Sequence, residues 1–242
     1  MVVFYRVGGK GTRLRPITED QLPKSLFRVG GKELIRYSID TMDLTIVSRL
    51  VFAIDHKADQ IRRWINSAGL PNIVEFSEQT EPGVLGAISA GANHIPEDRF
   101  IACNTDEIRL SLNLKDMVRF HQQSGMLATM AATYTNRLFR HRILKIRERD
   151  NRVLRTKLKP EEYKDKPEKT GLVNVGFIIM DKRVMDHFDP GHSNDWSGII
   201  DPLCDAGKLC AYVDHKIAYF NVGTPEEFLE AELFLKREFQ RV

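Results

Sequence analysis

Val7-Gly8-Gly9-Lys10-Gly11-Thr12-Arg13-Leu14-Arg15-Pro16, followed by Pro23-Lys24, is the stretch on which the reading of this chain turns. It comes directly after Met1-Val2-Val3-Phe4-Tyr5-Arg6, a short apolar run that reads as a buried first strand. Glycines at the end of a strand let the backbone approach a ligand closely and turn its N–H groups toward phosphate oxygens. Two commoner phosphate loops are excluded. The dinucleotide fingerprint G-x-G-x-x-G would need glycine where Leu14 stands. The loop ending in Gly-Lys-Ser/Thr is excluded because Lys24-Ser25 follows Pro23 and Gly31-Lys32 precedes Glu33. A bare glycine turn accounts for neither Thr12-Arg13 nor Pro23-Lys24.

Outward from the loop, strands and helices alternate. Val2–Val7 and Leu50–Ile54 are short runs rich in branched residues, as expected of strands buried on both faces. Leu34, Ile35, Ser38 and Ile39 recur at helical spacing, and Ala58, Ile61, Trp64 and Ile65 mark one face of an amphipathic helix. Ile73–Phe76 reads as a strand, Leu85–Ala92 as a small-residue helix, and Phe100–Cys103 as a further strand. Leu114, Met117, Val118 and His121 line another helix, followed by the strand Leu127–Tyr134. The order predicts an α/β fold with a doubly wound, mostly parallel sheet. After residue 136 the pattern changes to charged strand-like stretches at Ile143–Ile146 and Arg152–Leu158, then the apolar strand Leu172–Met180. Thr224-Pro225-Glu226-Glu227 reads as a helix start, with Thr capping, Pro opening the first turn and Glu227 completing a capping box.

Composition narrows the class. The 242 residues are 42% hydrophobic and 29% charged, ordinary for a globular protein with a substantial core. No apolar run approaches the roughly 18 residues needed to cross a bilayer, and the N-terminus lacks the pattern of a signal peptide. Cys103, Cys204 and Cys210 are odd in number and lack C-x-x-C spacing, so they form neither a disulfide framework nor a zinc site. A reduced, cytoplasmic location is expected, with no membrane partner. The net charge of +3 is too mild to imply nucleic acid. Residues 137 to 169 carry thirteen Lys or Arg against six Asp or Glu, which reads mainly as a solvated surface with a few cations facing an anionic ligand. That segment lacks interleaved aromatics on a platform, so no nucleic-acid partner is expected.

Gly8-Gly9-x-Gly11-Thr12-Arg13-Leu14, then Pro16, Thr18, Pro23-Lys24 and Val29-Gly30-Gly31-Lys32, resembles the signature of the sugar-1-phosphate nucleotidyltransferases. Weaker matches extend over nearly the whole chain: Glu81-Pro82 with Leu85-Gly86, Thr105-Asp106, Lys159-Pro160, Val173-Asn174-x-Gly176 and Val222-Gly223-Thr224-Pro225. The chain is similar to the short members, of the mannose-type guanylyltransferase and glucose-type thymidylyl- and uridylyltransferase kinds. The resemblance implies one domain over 1–242, Rossmann-like. Residues 1–135 would form the nucleotide-binding half, 136–222 the sugar-phosphate half and 223–242 a C-terminal helix.

It also implies the reaction: a nucleoside triphosphate and a sugar 1-phosphate give a nucleotide-sugar and pyrophosphate, with Mg2+ as cofactor. Both substrates are anions, so neutralising and aligning them is the catalytic task, and no side-chain nucleophile is needed. By the resemblance Arg13, Lys24 and Asp106 are the catalytic set, with Arg13 on the β- and γ-phosphates and Lys24 on the reacting phosphates. Val7, Gly8, Gly9, Gly11, Thr12, Gln79, Leu85 and Gly86 would bind the nucleotide. Lys159, Asn174 and Gly176 would bind the sugar phosphate, Gly176 leaving room for the ring. Asp106 and Asn221 would hold the metal, and Glu107 is a further candidate ligand or a structural residue. A homo-oligomer is allowed.

The chain departs from the family pattern at Arg6, where leucine is usual, at Val7, where alanine is usual, and at Leu158 and Asn221, where acids are usual. Gln79 suits a pyrimidine base and the double-glycine loop a guanylyltransferase, so GTP, UTP and dTTP all stay open as donors. Two other functions fit the same residues: a regulatory homologue that binds a nucleotide-sugar without turnover, and a nucleotidyltransferase with a non-sugar phosphate acceptor.

Overall fold

Along the chain, β1 (Val2–Arg6) leads through the glycine turn to a short helix α1 (Arg15–Thr18), to β2 (Arg28–Val29) and β3 (Lys32–Glu33), and to α2 (Leu34–Asp40). Next come β4 (Arg49–Ile54), α3 (Ala58–Ser67), β5 (Ile73–Glu78), α4 (Gly83–Gly91) and β6 (Arg99–Asn104). β7 (Glu107–Leu110), α5 (Leu114–Ser124) and β8 (Ala128–Thr135) follow, then β9 (Ile143–Arg147), β10 (Arg152–Leu158) and the long β11 (Gly171–Asp181). The chain closes with α6 (Ser197–Asp205), β12 (Leu209–Val213), β13 (Ala218–Asn221) and α7 (Pro225–Phe239). This computed structural model describes residues 1–71, 73–78, 83–91, 94–95, 97–136, 143–158, 170–188 and 196–239, without the side chains of Leu85, Leu158 and Phe239.

The apolar run that opens the sequence sits at the middle of the sheet. Val2, Val3, Phe4 and Tyr5 are at most 1% exposed, which requires a layer on each face. β1 pairs in parallel with β4 on one side and β6 on the other, and β5 adds in parallel beyond β4. The full order is β5-β4-β1-β6-β11-β8-β12-β10-β9. The expected doubly wound α/β architecture is present, with its parallel part in β5-β4-β1-β6. β11 runs antiparallel to both β6 and β8, β12 is again parallel to β8, and the β9–β10 hairpin closes the far edge.

One face of the sheet is covered by α4 and α6 through Val84, Ala87, Ile88, Ile199 and Leu203. The other is covered by α2, α3 and α5 through Ile35, Ile39, Ile61, Ile65, Leu114 and Met117. Small residues let α4 press onto β1: any Cβ at Gly91 would run into the Phe4 ring. A third, smaller core of Leu14, Val29, Leu34, Tyr37, Ile108, Phe220, Ala231 and Leu235 joins α7 to the two-stranded sheet of β7 and β13. Burying each such side chain contributes about 1.5–3 kcal/mol, so the glycine loop, through Leu14, is anchored into this core.

Candidate active site

The site lies where parallel strands end, the edge at which open α/β sheets take ligands. Past β1 the chain runs close over the end of β4: a Cβ on Gly8 would stand 2.6 Å from the Asp55 Cβ and 3.0 Å from its backbone nitrogen. Gly11 is left-handed at φ 61°, and its missing Cβ leaves room for Lys24, whose Cβ would be 3.0 Å away. Only glycine fits both demands at low cost. Gly9 faces open space. Leu14 N–H closes a tight turn on Gly11 C=O at 2.9 Å, and the buried Leu14 plugs the third core, leaving Thr12 and Arg13 exposed on the rim.

Asp106 follows the end of β6. Thr105 Oγ1 donates to Arg6 C=O at 2.9 Å, fastening this turn to the end of β1. Lys24 Nζ sits 2.6 Å from Asp106 Oδ2, with the lysine side chain 11% and the aspartate 30% exposed. Burial pushes the Asp106 carboxyl up, but the Lys24 ammonium and the Arg6 guanidinium outweigh it and hold the group at about 2. Asn221 comes alongside from the other end of the chain, because Val222 N–H donates to Asp106 C=O at 3.0 Å and Asn221 is in register with Glu107. Arg13 reaches the same place: one guanidinium nitrogen lies 3.3 Å from where a Cβ on Gly223 would stand. Four residues singled out in separate parts of the sequence, Arg13, Lys24, Asp106 and Asn221, thus meet on one rim.

As a cation site the pair Asp106 and Asn221 offers one carboxylate and one amide oxygen. Such hard donors suit magnesium, which takes one or two protein ligands and completes its shell with water and phosphate. Among the described residues no group of three or more His, Cys, Asp or Glu forms a self-sufficient metal cage.

Asn174 and Gly176, expected on the sugar side, belong to a bulge in β11, whose register against β8 shifts between Asn174 and Ile178. Asn174 Oδ1 accepts from Gly176 N–H at 2.9 Å, so this oxygen serves the bulge itself. Gly176 has φ 65°, and a Cβ there would overlap the Glu107 carboxylate. Its glycine is therefore demanded by backbone and by Glu107. Glu107 in turn pairs with Arg109 at 3.1 Å. Arg109, its side chain fully buried, donates to the carbonyls of Val175, Asn104 (2.8 Å) and Gly176 (3.2 Å) and to Ser38 Oγ (3.3 Å). Burial raises the Glu107 carboxyl, Arg109 lowers it and Asp106 raises it, leaving it above the usual range. This hub under the site was not read from the sequence. Its one signal is the pair of charges in Glu107-Ile108-Arg109-Leu110, set among apolar residues.

Gly86 is buried on α4. Gln79, Lys159 and the side chain of Leu85, proposed above to bind nucleotide and sugar phosphate, lie outside the described residues. Val29-Gly30-Gly31-Lys32, part of the signature, forms the β2–β3 turn and docks α7 through Gly30 N–H to Glu232 Oε2 at 2.5 Å. A cavity of about 540 Å³ lined by Met1, Arg99, His121 and Asp181 opens at the opposite end of β1 and β6 and shares no residue with this rim.

Fold and site together define an α/β protein that presents a glycine loop, two cations, a carboxylate and an amide at the carboxyl edge of a parallel sheet. The family described as nucleotidyl transferase matches residues 7–238, and the chain belongs to it. The chain is 25% identical over 237 residues to mannose-1-phosphate guanyltransferase of Aspergillus oryzae, covering 95% of this chain and 62% of that relative. It spans, then, under two thirds of the relative's length. Its fold matches HddC from Yersinia pseudotuberculosis complexed with GMP-PN, with TM-score 0.73, 24% identity and coverage of 96% and 98% of the two chains. It also matches a putative glucose-1-phosphate thymidylyltransferase from Bacillus anthracis, with TM-score 0.79, 17% identity and coverage of 97% and 95%.

Proposed function

We propose that this chain transfers a nucleoside monophosphate from a nucleoside triphosphate to a sugar 1-phosphate, releasing pyrophosphate. The observation that carries the proposal is the meeting of Lys24 with Asp106 at 2.6 Å, beside Arg13 and Asn221 and under the glycine loop. In the reaction a phosphate oxygen of the sugar phosphate attacks the α-phosphorus. The new P–O bond forms as the bond to the β-phosphate oxygen breaks, and the electron pair leaves on pyrophosphate. Arg13, on the exposed rim, grips the β- and γ-phosphates with its planar fork of donors. Lys24 is a compact charge on a mobile stem and follows the α-phosphate once it leaves Asp106. The backbone N–H groups of 8–12 face the nucleotide, with Gln79, Leu85 and Gly86 toward the base. Lys159 and the Asn174–Gly176 bulge serve the sugar phosphate. Residues 1–135 in this reading handle nucleotide and 136–222 the sugar phosphate.

Asp106 and Asn221 would hold magnesium, which supplies charge neutralisation on the phosphates. The guanylyltransferase relatives support GTP as the first donor to try, followed by UTP and dTTP. The three cysteines, all unpaired, support a reducing, cytoplasmic setting. Pyrophosphate release by Arg13→Ala and by Asp106→Ala tests the roles: each substitution should lower turnover on the order of a hundredfold. Unchanged rates in both would overturn them.

A further inference from the structure

Asn221 raises a problem that its surroundings answer. An amide in place of a carboxylate gives a cation site one charge fewer, yet a carboxylate stands directly behind it. Asn221 Nδ2 lies 3.2 Å and 3.3 Å from the two oxygens of Glu227. A carboxylate only accepts, so the amide nitrogen must be the end that faces it, and the carbonyl oxygen is turned the other way. Glu227 is itself fixed. Its Oε2 accepts from Gly223 N–H at 2.8 Å, its own N–H donates to Thr224 Oγ1 at 3.3 Å, and α7 is seated by the buried Ala231 and Leu235. In an ordinary capping box this carboxylate would return to the N–H of the capping residue, Thr224. Here it bonds one residue earlier and reaches on to Asn221, a geometry that capping alone does not call for. An aspartate at 221 would set two carboxylates against each other at that distance.

We infer that Glu227 is a positioning residue for the cation site. It orients the Asn221 amide so that the carbonyl oxygen is offered to a divalent cation. It also supplies, one hydrogen bond behind that oxygen, the negative charge an aspartate would have carried directly. Groups in such an outer position polarise and aim the ligand, and replacing them typically costs about 10–100-fold in metal affinity. The inference rests on the reading of Asp106 and Asn221 as cation ligands.

The test is Mn2+ binding to the whole chain, followed by loss of the free-ion electron paramagnetic resonance signal, with no nucleotide and no turnover. Glu227→Gln should weaken binding about tenfold. Asn221→Asp alone, which keeps one carboxylate more beside the cation, should bind more tightly than the double variant Asn221→Asp/Glu227→Gln, in which charge and hydrogen bond simply trade places. The double variant should return to within about threefold of wild type, since the outer-layer charge is restored as a direct ligand. If Glu227→Gln proves unfolded by circular dichroism, comparing Asn221→Asp with the double variant decides the matter. Unchanged affinity in Glu227→Gln with a clear loss in Asn221→Ala would overturn the inference and leave the ligands standing. Unchanged affinity in both, with loss in Asp106→Ala, would instead remove Asn221 as a ligand. Asn221→Asp binding more weakly than the double variant would also overturn the inference.

Discussion

Replacing Arg109 by methionine keeps most of the apolar stem and removes the guanidinium, so it isolates what the buried hub contributes. Three backbone carbonyls, at Asn104, Val175 and Gly176, lose a donor, and Glu107 loses its counter-charge. Each buried group left unpaired costs about 1–3 kcal/mol. The costs do not all add, because Glu107 can take up a proton. Breaking one side of a buried ion pair costs roughly 3–5 kcal/mol, against a total stability of about 5–15 kcal/mol. Equilibrium urea unfolding of Arg109→Met should therefore show a loss of about 3–5 kcal/mol at neutral pH. The pH dependence follows from sign. Arg109 lowers the Glu107 carboxyl, so its removal raises that group further above its unfolded value. A raised acid stabilises the fold below its unfolded pKa, and that contribution is lost as pH rises through the folded one. Relative to wild type, the variant should recover on acidification, and Arg109→Met/Glu107→Gln should be more stable than Arg109→Met at neutral pH. A loss under about 1 kcal/mol, with no recovery in the double variant, would refute the buried-hub reasoning.

Three further outcomes follow from the same structure. Gly176→Ala should cost at least about 1–2 kcal/mol from its left-handed backbone alone, with more from overlap with Glu107, seen as a lowered melting temperature; an unchanged melt would mean the bulge is not as described. His121, buried and bonded to Thr129 Oγ1 at 2.8 Å, is pushed by burial down to about 4. Its stabilising share is present above the ordinary 6.5 and lost as pH falls through about 4, roughly 3 kcal/mol in all; His121→Gln should flatten the unfolding free energy across that window. Lys24→Ala frees Asp106 from its ammonium, so Mn2+ affinity should rise while pyrophosphate release falls about a hundredfold or more; weaker Mn2+ binding would contradict the competition between lysine and cation.

How much of this was legible in the sequence depends on the range of the contacts. β1, α3 and α5 announced themselves because their apolar spacing is local and matches their burial. α6 was missed because Pro202 stands inside it, and a proline argues against a helix interior. β7 was missed because two of its four residues are charged, and those charges are paired with each other. β12, an apolar run of five, was not read although it is as long as Leu50–Ile54.

The same division holds in the site. The glycine loop is contiguous, so its chemistry was readable in one stretch, and Asp106 came from the resemblance, at a position just after a strand. Gly176 was read from the resemblance as space for a sugar ring; that a Cβ there would also meet Glu107, sixty-nine residues back, is visible only through the fold. Gly30 and Gly31 were matched as part of the signature, and the turn they form, held by Glu232 across a separation of 202 residues, comes from the fold. Glu227 was recognised as a cap, and nothing local reveals that its carboxylate also meets Asn221.

The proposed activity itself is tested most directly by pyrophosphate release in magnesium, crossing ATP, GTP, CTP, UTP and dTTP against a panel of sugar 1-phosphates. One triphosphate paired with one sugar phosphate should stand far above the rest, and the signal should vanish in Asp106→Ala. Background release across the whole panel, with nucleotide-sugars still binding by calorimetry, would contradict the assignment of a transferase and leave a binding protein on the same fold.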